Sequence, residues 1–216
     1  PQGSDSQLIL ARTAAALGRY TTSHNELLRG LLSGSVSYPG LTVDADLRWR
    51  LWQALAGTGS AGPEEFKAEL AADNTAAGRV GYTVAAAALP DPGVKAAAWE
   101  AAVHAGELSN ELLSATIEGF NIGGHELLDA FIPDYFAALE TVWSSRSIEL
   151  ASRVVAGLYP IAQDLPQHTV PADHPVLALS QEWLEANREA PAALRRIIIE
   201  SQDQLLRALR AQAAAR

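Results

Sequence analysis

The sequence predicts an all-α protein, an α-solenoid of HEAT-like antiparallel helix pairs (an α-α superhelix) with about ten helices. Three observations carry that expectation. The hydrophobic share of 48% is supplied mostly by Ala and Leu, good helix formers, and little by the β-branched and aromatic residues that favour sheets. Apolar residues recur three and four apart along most of the chain. Between these segments stand short Gly, Pro and Asp turns, at a pair spacing of roughly 30 to 40 residues that suits a helical repeat. The runner-up architecture is an irregular helical bundle.

The most legible stretch is Asp44 to Gly78, which reads as a complete helical hairpin. Asp44 can cap a helix in which Leu47, Leu51, Ala54 and Leu55 share one arc while Trp49 and Trp52 lie opposite, so that the helix is apolar on two sides and sandwiched. Gly57 and Gly59 end it, and Gly62-Pro63 followed by Glu64 and Glu65 starts the return helix with Phe66 and Leu70.

Before the hairpin, Ser4 or Asp5 caps a first helix with apolar positions Leu8, Leu10, Ala14 and Leu17 and a stop at Gly18. A second, short helix covers Ser23 to Leu32. Residues 33–43 form an irregular connector rich in Gly, Ser and Pro. After the hairpin, Asp73, Asn74 or Thr75 caps a helix running to Leu89, and Pro90 closes it. Asp91-Pro92 restarts the chain into a helix from Gly93 to Ala105, with Val94, Trp99 and Val103 among small Ala faces and a stop at Gly106. Ser109 caps the next helix, in which Leu113, Ile117 and Phe120 keep helical spacing and Gly123-Gly124 is the break.

From His125 to Trp143 the expectation is two helical pieces divided near Pro133. Ser144 or Ser145 caps a helix with Ile148, Ala151, Val155 and Leu158. Residues 160–175, with Pro166, Pro171 and Pro175, form the second main irregular connector, read as a surface loop. A helix with Val176, Leu179 and Trp183 follows. Pro191 opens the last, long helix, lined by Leu194, Ile197, Ile198, Leu205 and Leu209; its Ile197-Ile198-Ile199 run is β-prone, but the helical flanks outweigh it. All of this reads as a single helical domain over residues 1–216. Pro1 and the absence of any methionine suggest that it is cut from something longer.

Charge and composition exclude several function classes. A net charge of −9 argues against nucleic acid as a partner, because phosphate binding needs clustered basic groups. Only Lys67 and Lys95 among the 16 basic residues are lysine, and the arginines are expected to pair with carboxylates one turn away, Asp44 with Arg48 and Asp46 with Arg50. No apolar run approaches the length of a membrane span, and with no cysteine there is no disulfide framework or thiolate site. A soluble, cytoplasmic protein with no membrane partner is the expectation.

No motif supplies catalysis. His125-Glu126-Leu127-Leu128-Asp129 begins like the zinc signature H-E-x-x-H, which needs a second imidazole one turn later, where this chain has Asp129. His168 and His174 share the Pro-rich connector but have no third ligand type beside them; His24 and His104 are isolated. No nucleophile elbow or phosphate loop is present. Catalytic, cofactor-binding and metal residues are therefore expected to be none. The five tryptophans read mainly as packing between hairpins. Arg48 with Trp52, and Arg146 just after Trp143, are the candidates for an arginine beside an aromatic wall that can hold a peptide carboxylate or backbone.

Taken together, Asp5-Ser6-Gln7-Leu8, the block from Asp44 through Arg48-Trp49 to Gly57, Glu69-Leu70 with Asp73 to Gly78, and Lys95 to Trp99 resemble a known family. Gly119-Phe120, Tyr135-Phe136 with Trp143, Arg146 to Glu149, Gly157 to Pro160 and Leu194-Arg195-Arg196 continue the match in order. The family is the C-terminal helical domain, also described as ERAP1-like, of the actinobacterial aminopeptidase N enzymes within the M1 zinc metallopeptidases. The resemblance implies an accessory domain packed on the catalytic domain of the same polypeptide, enclosing the active-site chamber and controlling which peptides enter. It implies zinc in the catalytic domain and none here, and no peptidase activity for this fragment alone. The family's zinc and G-x-M-E-N motifs have no counterpart in the chain. Arg48, Trp52 and Arg146 are then candidates to face the chamber. The alternative is a stand-alone α-solenoid that binds other proteins.

Overall fold

A computed structural model describes residues 3–104 and 108–216. Among the described residues the regular structure is entirely helical: α1 (Asp5–Gly18), α2 (Asn25–Ser33), α3 (Ala45–Gly57), α4 (Pro63–Ala72), α5 (Ala76–Ala88), α6 (Pro92–Val103), α7 (Asn110–Phe120), α8 (Ile132–Ser145), α9 (Ile148–Gly157), α10 (Pro175–Ala186) and α11 (Ala192–Ala214), with four single 3₁₀ turns. The all-α expectation holds, and the helix hairpins pack in a solenoid-like way. The chain groups into two compact units, residues 1–102 with 107–127, and residues 103–106 with 128–216.

Side-chain caps start most of these helices. Ser4, Asp44, Thr75, Ser109 and Ser147 each accept a backbone N–H from the first turn, and the Glu65 carboxylate accepts from the Gly62 N–H. The cap of α9 is Ser147, not the expected Ser144 or Ser145, because α8 runs on through Ser145. Pro133 divides nothing: it lies in the first turn of α8, where its missing N–H costs no bond, and the chain before it forms 3₁₀ turns. The expected stop at Gly106 falls outside the described residues.

In the first unit, α1, α3, α5 and α7 pack successively against one another, while α2 packs on α3 and α4 on α5. Leu47, Leu51, Ala54 and Leu55 of α3 are fully buried and Trp49 nearly so, as a helix covered on two sides requires. Close approach depends on two glycines. A Cβ on Gly81 of α5 would stand 2.4 Å from Trp49 Cγ, and one on Gly119 of α7 would stand 2.5 Å from the Val84 carbonyl oxygen. Lys95 of α6 is fully buried, and its ammonium donates to the carbonyls of Ala87 (2.8 Å), Gly119 (3.0 Å) and Ile122 (2.6 Å), at the C-terminal ends of α5 and α7. Burial pushes its pKa down to about 8, which leaves the three-donor ammonium in place at neutral pH. Trp99, on the same helix, stacks at a tilt on Phe120 of α7 with centroids 5.8 Å apart. The first helix departs from expectation. Leu10, Ala14 and Leu17 are exposed, and α1 turns Ala15 and Gly18 to the core instead.

In the second unit, α9 and α10 pack on α11, with α8 against α9 and α10. Leu194, Ile198, Leu205 and Leu209 of α11 are fully buried, whereas Ile197 is half-buried and Ile199 exposed, the pattern of a helix and not of a strand. Tyr135 donates to the Val155 carbonyl at 2.8 Å and stands edge-on to Tyr159, which pairs with Ser180 at 2.9 Å. The connector at 160–175 is less free than a surface loop. Gln212 of α11 accepts from the Leu165 N–H and donates to the Gln163 carbonyl, both at 2.8 Å, and Leu165 and His174 are buried.

Gly81→Ala is expected to destabilise the protein by about 1–3 kcal/mol, the usual cost of overpacking, since indole Trp49 cannot yield without moving α3. Urea unfolding of the variant checks this, and an unchanged midpoint would refute the close-approach argument.

Candidate functional site

The hairpin of α3 and α4 brings together two of the three candidate residues. Arg48 lies on α3, and its Nε and Nη2 donate to Oε1 and Oε2 of Glu69 on α4 at 2.7 and 2.6 Å, a two-pronged ion pair. Its Nη1 donates to the Leu32 carbonyl at the end of α2, at 2.9 Å. Trp52, one turn along α3, adds its indole N–H to Glu69 Oε2 at 2.9 Å. Trp49 makes the parallel bond to Asp73 Oδ2, also at 2.9 Å, and Thr75 Oγ1 donates to the other oxygen of that carboxylate. Two carboxylates four residues apart thus meet two indoles three residues apart, as the i,i+3 and i,i+4 spacings of facing helices permit.

Glu69 is the centre of this arrangement. Its side chain is 6% exposed while that of Arg48 is 32% exposed. The Arg48 hydrogen bonds hold the Glu69 carboxyl below its ordinary range against the opposing effect of burial, with Trp52 adding to the effect. Trp49, and after it Thr75, likewise hold Asp73 down. Both carboxylates are therefore ionised acceptors, suited to clamping helices and not to proton transfer near neutrality. Three of the five N–H donors of Arg48 are taken by Glu69 and Leu32.

Of the two expected ion pairs, one forms and one does not. Asp44 does not pair with Arg48, because its carboxylate is engaged as the cap of α3, accepting from the Leu47 N–H at 2.9 Å. Asp46 does pair with Arg50, at 3.0 Å, and also takes Arg12 of α1 at 2.8 Å. The roles of Glu69 and Asp73 were not foreseen in the sequence. Their four-residue spacing opposite the Trp49–Trp52 pair is the signal that points to them.

Trp52 is half-buried and forms part of the wall of a cleft of about 790 Å³ whose polar rim includes Glu26, Arg29, Ser33 and Ser35. Arg29 there is held by Glu65 at 2.8 Å and by the Ser60 carbonyl. Arg146 belongs to the second unit, where its Nη2 donates to the Val103 carbonyl at 2.7 Å. Burial lowers its pKa, though a guanidinium remains a cation. Trp143, one turn earlier, lines a separate cleft of about 570 Å³ with Glu140, Glu185 and Arg188. Arg48 and Trp52 thus meet on one hairpin, while Arg146 belongs to the other unit.

Among the described residues no three His, Asp or Glu side chains gather where they could hold a metal ion. His174 is buried, and its Nδ1 accepts from the Val176 N–H as the cap of α10, while His168 is exposed. His125 lies in a 3₁₀ turn, His125–Leu127, and its side chain falls outside what the structure describes. No described helix is long and apolar enough to cross a membrane.

The described residues thus form an all-helical domain of packed hairpins, joined at the α3–α4 hairpin by the Arg48–Glu69 clamp. The family model of the ERAP1-like C-terminal domain matches residues 1–207, and the chain belongs to that family. It is 44% identical over 213 residues to Aminopeptidase N of Streptomyces lividans, an alignment covering 98% of this chain and 24% of that protein. The chain thus spans about a quarter of the length of that relative.

Glu69→Gln is expected to cost roughly 1–2 kcal/mol at neutral pH, less than a fully buried pair because Arg48 is one third exposed. Since the folded Glu69 pKa lies below the ordinary 4.5, its stabilisation is present above that value and is lost as pH falls through the folded pKa. Urea unfolding of the wild type and the variant should converge in strong acid. A gap that stays constant into strong acid would contradict the assignment.

Proposed function

We propose that this chain is the C-terminal accessory domain of a zinc-dependent aminopeptidase N, working in the cytoplasm, where it encloses the active-site chamber and controls access of peptides. Catalysis and zinc then belong to the catalytic domain of the same polypeptide. The observation that carries this reading is the identity of 44% over nearly the whole chain to a 24% portion of an aminopeptidase N. The absence of a metal-holding cluster among the described residues fits a division of labour in which this part shapes and the other part reacts.

Within that reading, Arg48, Trp52 and Arg146 are the residues proposed to face peptide. Arg48 retains an exposed third of its side chain beside the half-buried Trp52, and that pairing suits a peptide carboxylate or carbonyl. Its bonds to Glu69 and Leu32 would keep the guanidinium in one orientation before a peptide arrives.

The purified chain alone is expected to release no arylamine from aminoacyl-arylamide substrates and to carry no stoichiometric zinc; turnover by the isolated chain would overturn the division of labour. In the full-length enzyme, Arg48→Ala or Arg146→Ala is expected to raise KM about three- to tenfold for some peptide lengths and not others, the scale of a partly solvated charged hydrogen bond. Kinetics that are unchanged across a series of peptide lengths, in a variant shown by melting to be folded, would remove that arginine from the chamber.

A further inference from the structure

The proline-rich connector of residues 160–175 ends on a histidine that works as a helix cap. His174 is 4% exposed, and its extended backbone (φ −64°, ψ 134°) places it as the N-cap of α10, with Pro175 in the first turn. Its Nδ1 accepts the Val176 N–H at 3.3 Å, so the proton of the neutral ring sits on Nε2. The ring also bonds the backbone of Asp164, earlier in the connector. One imidazole thus ties the first turn of α10 to the middle of the connector. The other ties come from α11 and its end: Gln212 holds Leu165 and Gln163, and Arg216 donates to the carbonyls of Pro166 and Leu165.

A histidine cap differs from the Ser, Thr and Asp caps elsewhere in the chain. A proton on Nδ1 turns the acceptor into a donor that faces another donor, in a site closed to water and at the positive end of a helix. Burial holds the ring below its ordinary value of 6.5, against the Asp164 backbone and the Asp129 carboxylate on the 3₁₀ turn before α8, which both favour the proton. The other charged groups on the packed elements are exposed: Asp173 beside it, Asp134 on α8, Glu182 on α10, and Asp203 and Arg207 on α11, which pair with each other. We propose that His174 is a proton-operated latch: neutral, it fastens the connector to α10, and protonated in mild acid it releases the Val176 N–H, so that the connector opens while the helices stay packed. The latch is closed above pH 6.5 and weakens as pH falls below it, because the open ring takes up a proton before the closed one. Each pH unit below that value favours opening by at most about tenfold, until the closed ring is protonated too.

Hydrogen exchange of the full-length protein tests this, read by mass spectrometry on peptides spanning residues 161–178 and corrected for the intrinsic exchange rate at each pH. Between about pH 7.5 and about pH 5.5, opening of this segment is expected to rise roughly three- to tenfold, while peptides from the middle of α11 do not change. His174→Asn keeps an acceptor oxygen as many bonds from the backbone as Nδ1 but cannot titrate, so its connector should open equally at the two pH values. His168→Gln, at the exposed histidine of the same connector, should keep the wild-type dependence. Equal opening of the wild-type connector at both pH values overturns the latch without recourse to any variant. A pH dependence that survives His174→Asn, that vanishes in His168→Gln, or that is shared equally by α11 overturns it as well.

Discussion

The packing of the first unit depends on one buried charge. Lys95 brings an ammonium group, with no exposure to water, to the carbonyls of Ala87, Gly119 and Ile122 at the ends of α5 and α7. Each partner answers the other's cost: the carbonyls supply the acceptors that a desolvated ammonium needs, and the ammonium adds donors where the two helix ends are buried. α5 and α7 can end side by side in the interior because of it. Gly119 brings the two backbones close enough for the arrangement to close, with the Val84 carbonyl lying where a side chain would begin.

A second polar device works on the neighbouring hairpin, with different chemistry. Arg48, Glu69 and Trp52 join α3 to α4 and, through the Leu32 carbonyl, to α2. Short helices bury little apolar surface each, so the directional bonds carry much of the specificity of which helix meets which. The clamp also leaves part of Arg48 and of Trp52 at the surface. Packing and recognition are compatible in the same side chains, provided the guanidinium keeps donors beyond those the fold uses.

Helix existence was readable because local rules govern it. Asp44 and Ser109 cap where the sequence places them, and Thr75 is the one of three candidate caps that serves α5, since a cap needs only a short oxygen-bearing side chain and the following turn. The four fully buried residues of α11 follow the spacing visible in its sequence. Where competing local signals stood side by side, position was misjudged: Ser144, Ser145 and Ser147 are chemically near-equivalent caps, and the length of α8 selects the last. Pro133 serves equally as a breaker or as a first-turn residue, and only the conformation before it distinguishes the two. The polar acceptors were harder still. Asp73 reads only as a candidate cap, and Glu69 and Gln212 have no partner in the sequence, until α4 is laid against α3 and the proline-rich connector folds onto α11.

By itself, then, the sequence determined the helical class, most helix limits, the hairpin at Asp44 to Gly78 and the kinship with the ERAP1-like C-terminal domains, because these rest on spacing, capping and residue identity along the chain. Only the tertiary structure decided which polar groups are satisfied, and by whom: that Lys95 is buried, that Arg48 answers Glu69 and not Asp44, and that α1 turns its large apolar residues outward. Burial and pairing are set by which faces meet, and residues distant in the chain meet only in the folded molecule.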